Sequence, residues 1–210
     1  MTTVAEQIVR LADGAGVTVN DSVASQLAAF IGLLAKWDAT LNLTGFQLDP
    51  PSDEAVMRLL VEPIVAAALI PADARLAIDV GSGGGSPAIP LKLVRPDVQF
   101  VLVESKVRKG AFLREAVRQL ELDGVDVVTS RFEEVARRPE LKARADLVTI
   151  RAVRLDDDLW TTAAAVLRHG GHLLLFGTAS VPPQWPPTFE PVSSGHVSGT
   201  TVVITLAKRL

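Results

Sequence analysis

Short runs of β-branched and aliphatic residues alternate with helical segments from Arg75 onward, and this alternation constrains the fold more than any other feature. The apolar runs are residues 76–80, 98–103, 125–129, 147–150 and 173–176. Strands that alternate with helices are typical of a parallel sheet with helices on both faces. Residues 200–206 are strand-like with no helix after them, which favours two last strands paired as an antiparallel hairpin at the sheet edge. The pattern therefore predicts a mostly parallel, seven-stranded α/β sheet.

The first 70 residues have helical periodicity instead. Asn20 and Asp21 can cap a helix whose apolar residues recur every three or four positions; these are Val23, Leu27, Phe30, Ile31, Leu34 and Leu41. Shorter helices are expected at residues 3–12 and, after the prolines at 50 and 51, at residues 53–69. We therefore divide the chain into a helical extension, residues 1–70, and a core, residues 71–210, which we expect to form one compact unit.

Composition excludes several kinds of chemistry. The 210 residues contain no cysteine and no tyrosine, and the three histidines are too few and too clustered to predict a metal site. A chain without cysteine has no thiolate ligand and no cysteine nucleophile. The formal net charge is -3, so any contact with nucleic acid depends on a local basic patch. No stretch has the roughly 18 to 20 apolar residues of a membrane span, and no secretory signal is expected, so we predict a cytoplasmic protein, most simply a monomer.

A glycine-rich loop directly follows the first predicted strand, with the sequence Asp79-Val80-Gly81-Ser82-Gly83-Gly84-Gly85-Ser86-Pro87. Glycine lets the backbone approach a ligand closely, and ligands bind at this edge of open α/β sheets. Ser86 can cap the next helix, with Pro87 as its first residue. The loop lacks the lysine of a phosphate-binding loop and only partly matches a dinucleotide fingerprint. An acid followed by Gly81, Gly83 and Gly85 is the pattern of S-adenosylmethionine (SAM) methyltransferases. In this chain the acid is Asp79, which would face the cationic α-amino group of SAM.

Three further residues follow predicted strands at the same edge. Glu104 can accept hydrogen bonds from the ribose hydroxyls of an adenosine, in a nicotinamide cofactor or in SAM; the alternative is a surface glutamate that caps a helix. Phe132 lies where an apolar side chain could cover the adenine, or it packs in the core. Arg151 is expected at the rim of the active site, unless it only pairs with an acid at the surface.

With these motifs the sequence resembles the bacterial small-subunit rRNA guanine-N7 methyltransferases, also called glucose-inhibited division protein B. The resemblance covers most of the chain from about Leu27 to Ala207. The most specific match extends the glycine loop through Ala88-Ile89-Pro90-Leu91. The other matching motifs are Lys36-Trp37-Asp38 with Asn42-Leu43-Thr44, Glu104-Ser105 with Arg108-Lys109 and Phe112-Leu113, Ser130-Arg131 with Glu133-Glu134, and Arg151-Ala152.

The resemblance implies a class I SAM-dependent methyltransferase fold and methyl transfer to a guanine N7 of small-subunit rRNA, as naked RNA or in the small ribosomal subunit. It implies SAM contacts at Gly81, Ser86, Phe132, Glu133 and Arg151. It also places Arg58, with Arg151, on the substrate side. The chemistry fits the composition, because guanine N7 has a free lone pair and needs no general base.

The sequence departs from the family pattern on that substrate side. Leu59 and Pro63 replace a histidine and a serine, and Phe176 replaces a lysine. Two alternatives therefore stay open: a methyltransferase of the same ancestry that acts on another RNA or a small molecule, and a non-catalytic nucleotide-binding protein.

Overall fold

A computed structural model describes residues 2–178, 184–198 and 200–210. Within these residues the strands are β1 (Leu76–Val80), β2 (Gln99–Glu104), β3 (Val125–Thr129), β4 (Ala145–Arg151), β5 (Leu167–Thr178), β6 (Phe189–His196) and β7 (Val202–Arg209). They form one sheet in the order β3-β2-β1-β4-β5-β7-β6. The strands β1 to β5 are parallel, and β7 runs antiparallel to both β5 and β6. The predicted seven-stranded sheet and its antiparallel hairpin at the edge are confirmed.

The α-helices of the same residues are α1 (Val4–Gly14), α2 (Asp21–Leu41), α3 (Asp53–Val56), α4 (Glu62–Ala66), α5 (Ala88–Val94), α6 (Val107–Gln119), α7 (Phe132–Val135) and α8 (Asp157–Val166). Asn20 caps α2 as predicted, because its Oδ1 accepts the Val23 N–H at 2.9 Å. Asp156 caps α8 in the same way, accepting the Leu159 N–H at 3.0 Å. Each cap satisfies a backbone donor that the first turn of a helix leaves free.

Helices cover both faces of the sheet, as predicted. Successive side chains of a strand point to opposite faces, and Ala77 and Ile78 belong to two different apolar clusters. The cluster with Ala77 contains residues of α1, α2, α5 and α6. The cluster with Ile78 contains residues of α7 and α8. Both faces of the central strands are therefore buried, which explains why their sequences are continuous apolar runs.

Helix α2 connects the N-terminal helices to the glycine loop. Phe30, in α2, is fully buried, and a Cβ added to Gly85 would lie 3.3 Å from its ring. The Trp37 ring of the same helix packs against Phe112 of α6, with ring centroids 5.9 Å apart. Residues 1–70 therefore share one apolar cluster with the sheet, and we propose that the two parts fold as one unit.

The structure corrects two sequence predictions around the glycine loop. Ser86 does not cap α5: Pro87 is the N-cap residue, and the Ser86 Oγ donates instead to the Leu59 carbonyl at 2.8 Å. The predicted helix at residues 53–69 is not uniform, because a π-helical turn, Met57–Val61, separates α3 from α4 and a 3₁₀ turn, Ala67–Leu69, follows. The wider π turn is not encoded in an apolar period, so the sequence did not reveal it.

A third correction concerns the fifth strand. The apolar run predicted this strand at residues 173–176, but β5 begins at Leu167 and continues to Thr178. The pairing with β4 starts at Ala145 and Leu167 and then shifts register before Leu147 and His172. Two glycines in this segment hid its strand character from the sequence pattern.

No helix of the residues that the structure describes is long and apolar enough to cross a membrane.

We expect Phe30→Ala to destabilise the whole chain rather than its N-terminal helices alone. Removing a fully buried phenylalanine side chain costs about 3 to 5 kcal/mol of the free energy of unfolding. Urea unfolding should be followed in single-tryptophan variants that retain either Trp37, in α2, or Trp160, in α8. The midpoints of the unfolding transitions reported by Trp37 and by Trp160 should shift to lower urea concentration by the same amount.

The matched control is Val192→Ala, because Val192 is 57% exposed and its truncation should change the free energy of unfolding little. A shift of the Trp37 transition alone would contradict the proposal that residues 1–70 and the sheet unfold as one unit.

Candidate cofactor-binding site

The backbone of the glycine loop turns sharply at the carboxyl end of β1. The Gly81 N–H donates to the Val103 carbonyl at 2.9 Å, which ties the loop to β2. Gly81 has a φ of 69°, and a Cβ there would lie 2.9 Å from the Val153 side chain. At Gly85 φ is 84°, and a Cβ would lie 2.7 Å from Ile89. These positions therefore need glycine for both conformation and space.

Glu104 ends β2 beside this loop and is only 6% exposed. Its Oε2 accepts the Gly83 N–H at 3.0 Å, and its Oε1 accepts the Lys106 N–H at 2.7 Å. Glu104 therefore joins the glycine loop to the start of α6. A carboxylate has about four acceptor positions, so two backbone donors leave capacity for hydroxyl donors of a ligand.

A cavity of about 330 Å³ opens at this edge of the sheet. It is lined by three of the predicted residues, Gly81, Phe132 and Glu133, together with Ser130, Val153 and others. Phe132 also belongs to the apolar cluster under α7 and is 7% exposed, so the residue both packs in the core and borders the cavity. Glu133 is exposed at its rim. The cavity has an apolar wall and a polar mouth, which suits a nucleoside.

Asp79, near the end of β1, is a buried carboxyl group with one unmatched oxygen. It is 1% exposed, and its Oδ1 accepts the Thr149 hydroxyl at 2.5 Å. No described residue donates to its Oδ2. Desolvation raises the pKa of Asp79 to about 6, although the hydrogen bond from Thr149 opposes the shift. An unmatched buried carboxylate oxygen is costly, and a cationic ligand would relieve that cost.

Arg151 ends β4 and is held by a buried acid that the sequence analysis did not single out. The Arg151 Nη2 lies 2.7 Å from the Oε2 of Glu62, which is fully buried at the start of α4. The other carboxylate oxygen of Glu62 lies 3.3 Å from the Arg58 Nη1. The Arg151 guanidinium also stands 5.3 Å from the centroid of the Phe176 ring. We call Arg58, Glu62 and Arg151 the arginine–glutamate cluster.

The arginine–glutamate cluster carries a net positive charge and leaves one buried donor free. Burial raises the pKa of Glu62, and the positive charges of Arg151 and Arg58 oppose that shift. Burial also lowers the pKa of Arg151, against the attraction of Glu62. The Arg151 Nη1 is buried and has no acceptor among the described residues. A guanidinium stays protonated in proteins, so this nitrogen is an unused charged donor.

The structure thus brings most of the predicted residues to one edge of the sheet, in two groups. Gly81, Phe132 and Glu133 line the cavity, and Gly83 is bonded to Glu104 beside it. Asp79 and Arg151 provide two of the three unmatched buried side-chain atoms of the described residues, and the third, His172 Nδ1, belongs to β5. Ser86 belongs to neither group, because its hydroxyl is bonded to Leu59. Arg58 reaches this edge through Glu62, and the four-residue spacing of the two is a sequence signal that could have revealed the pair but was not used.

Similarity to known proteins agrees with this geometry. A family model described as GidB, rRNA small subunit methyltransferase G, matches residues 23–185. The ribosomal RNA small subunit methyltransferase G of Neisseria gonorrhoeae is 36% identical over 157 residues, which cover 75% of this chain and 72% of that protein. The protein of the same name from Dichelobacter nodosus is 42% identical over 147 residues, with coverages of 69% and 66%.

The fold comparison points the same way. A solved SAM-dependent methyltransferase from Aquifex aeolicus has a TM-score of 0.59 over 73% of this chain and 92% of that chain, at 14% sequence identity. This likeness confirms the predicted class I methyltransferase fold. The family match spans most of the chain, and the relatives agree with the sequence motifs and with the sheet topology. The chain therefore belongs to the rRNA small subunit methyltransferase G family.

Proposed function

We propose that this protein transfers the methyl group of SAM to N7 of a guanine in small-subunit ribosomal RNA. The SAM-dependent methylation of rRNA follows from the family. The observation in the structure that supports it most is the pair of unmatched buried atoms, Asp79 Oδ2 and Arg151 Nη1, beside a nucleoside-sized cavity. The small ribosomal subunit or its rRNA is then the partner, in the cytoplasm. We expect the protein to act as a monomer.

The two unmatched atoms complement the amino-acid end of SAM. The α-ammonium of the methionyl group is a cation that would neutralise Asp79, and the α-carboxylate is an anion that would accept from Arg151. Asp79 and Arg151 are close enough that each charge moves the pKa of the other group. A zwitterion would therefore satisfy both atoms at once, which neither a plain anion nor a plain cation could do.

The adenosine end would occupy the cavity at the glycine loop. Glu104 would accept from the ribose hydroxyls with its remaining acceptor positions, and Phe132 would cover the adenine. Glu133 at the rim, with Gly81 and Gly83 in the loop, would complete this half of the site. Ser86 would contribute through the backbone rather than through its hydroxyl, which is bonded to Leu59.

The methyl transfer needs no general base or nucleophile from the protein. SAM supplies an electrophilic methyl group, and guanine N7 attacks it with a lone pair that carries no proton. Alignment of the two reactants and exclusion of water therefore account for the acceleration. Arg151 and Arg58, with one buried carboxylate between them, would provide the positive charge that holds the RNA on an acidic protein.

Methylation in vitro tests this function. Small ribosomal subunits and deproteinised small-subunit rRNA, both lacking the modification, should be incubated with the protein and labelled SAM. We expect one 7-methylguanosine in the small-subunit rRNA by mass mapping, and none in large-subunit rRNA. Gly81→Val is the matched inactive control, because its side chain would occupy space taken by Val153 and by the ligand. A methyl group on another atom, on another RNA or on no RNA would contradict the proposal.

The raised pKa of Asp79 predicts a pH dependence of SAM binding. Below about pH 6 the carboxyl group is protonated in the free protein, so binding the ammonium requires loss of that proton. The affinity for SAM should therefore rise about tenfold from pH 5 to pH 7, a range in which an α-amino group stays protonated.

Calorimetry at several pH values measures this dependence, and Asp79→Asn is the control. The amide cannot titrate, so the variant should bind SAM more weakly at pH 7 and with little change between pH 5 and pH 7. An equally steep pH dependence in Asp79→Asn would assign the titration to another group and remove the support for an ammonium at Asp79.

A further inference from the structure

A second and larger cavity, of about 860 Å³, lies on the Arg58 side of the arginine–glutamate cluster. It is bordered by the loop after α2, by α3 with its π-helical turn, and by residues just before β7. The residues that matter here are Phe46, Glu54, Met57, Arg58 and Thr200. None of the residues assigned above to SAM lines it. Its volume falls in the range of small-molecule sites.

This cavity adjoins the amino-acid end of the proposed SAM site. Arg58 lines it and pairs with Glu62, which pairs in turn with Arg151. Thr200 lines it as well, and its hydroxyl donates to the Val197 carbonyl at 3.1 Å. The π-helical turn that carries Arg58 also receives the Ser86 hydrogen bond from the glycine loop. Arg58 thus connects this cavity, through Glu62, to Arg151, which we assign to the carboxylate of SAM.

The lining combines an apolar surface with two carboxylates, a guanidinium and two threonine hydroxyls. Phe46 and Met57 are half-buried and can pack against a flat ring. Glu54 is exposed, and no described residue bonds to its carboxylate. The neighbouring carboxylate, Asp53, is already bonded to Arg10 and Gln7. Arg58 uses Nη1 for Glu62, and its side chain is 27% exposed.

We propose that this second cavity receives the acceptor guanine and that Glu54 determines its specificity. The Glu54 carboxylate would accept from N1–H and the 2-amino group, and the Phe46 ring would stack on the base. Arg58 would donate to O6 alone, because a donor on N7 would occupy the lone pair that attacks the methyl group. The proposal rests on guanine-N7 methylation as the function of this chain.

The same geometry explains the rejection of other bases. Adenine would present its N1 acceptor to the Glu54 carboxylate, which repels it. Hypoxanthine keeps N1–H and O6 but lacks the 2-amino group, so it would lose one of the two bonds to Glu54. A bidentate contact between a side chain and a base edge accounts for about ten- to a hundredfold of discrimination.

The first arm of the test is steady-state methylation of unmodified small-subunit rRNA. We expect Glu54→Gln to raise the KM for rRNA about ten- to a hundredfold, because an amide cannot accept from both donors, while kcat changes less. The affinity for SAM and the melting temperature should be unchanged. Glu190→Gln is the matched control, since Glu190 is exposed on β6 at the opposite end of the sheet and should leave every value unchanged.

The second arm replaces the methylated guanosine with inosine in a ligated rRNA. The wild type should discriminate against inosine about tenfold, and Glu54→Gln should discriminate much less, because the bond lost with the 2-amino group is then already weakened. Unchanged KM and unchanged discrimination in Glu54→Gln would overturn the proposal, and so would a loss of SAM affinity or of stability.

The outcomes also separate this proposal from the function on which it rests. If the wild type places no methyl group on guanine N7 of the rRNA, then the proposed function fails and the cavity assignment fails with it. If the wild type does so while Glu54→Gln behaves as the wild type, the function stands and the guanine lies elsewhere.

Discussion

The rest of the site depends on the ion pairs that the Glu62 carboxylate forms with Arg58 and Arg151. It is fully buried at the start of α4 and binds Arg58 of the π-helical turn and Arg151 at the end of β4. One group thereby connects the N-terminal helices to the carboxyl edge of the sheet. Burying a carboxylate is unfavourable unless charged partners surround it, and here two guanidiniums oppose the desolvation. Because Glu62 engages only part of the Arg151 guanidinium, it also leaves Nη1 available.

The same balance of burial and charge accounts for Asp79. Its position in a central strand keeps it away from water, which raises its pKa to about 6, and Thr149 satisfies only one of its oxygens. Native proteins rarely leave such atoms unmatched without a functional reason. We propose that the amino-acid part of SAM supplies both the missing cation for Asp79 and the missing anion for Arg151.

The sequence predicted those features that local patterns encode. The bounds of β1 and β3 coincide with the predicted runs, since both strands are short apolar segments between clear helical segments. Glu104, Phe132 and Arg151 lie at the predicted edge of the sheet, because each stands at or just after the end of a parallel strand. Ser86 was assigned to the wrong partner, because its bond to Leu59 joins residues 27 positions apart. Glu62 was missed for a similar reason: its pairing with Arg151 spans 89 positions and depends on tertiary structure.

The binding of SAM and decarboxylated SAM tests the central claim most directly. Wild-type protein should prefer SAM by about ten- to a hundredfold, the range for a hydrogen bond between charged groups. In the double variant Glu62→Gln/Arg151→Met, which removes the guanidinium without leaving a buried carboxylate unpaired, this preference should largely disappear. The affinity for 5′-methylthioadenosine, which lacks the amino-acid end, should stay unchanged. An undiminished preference for SAM, or an equal loss of methylthioadenosine binding, would contradict the role given to Arg151.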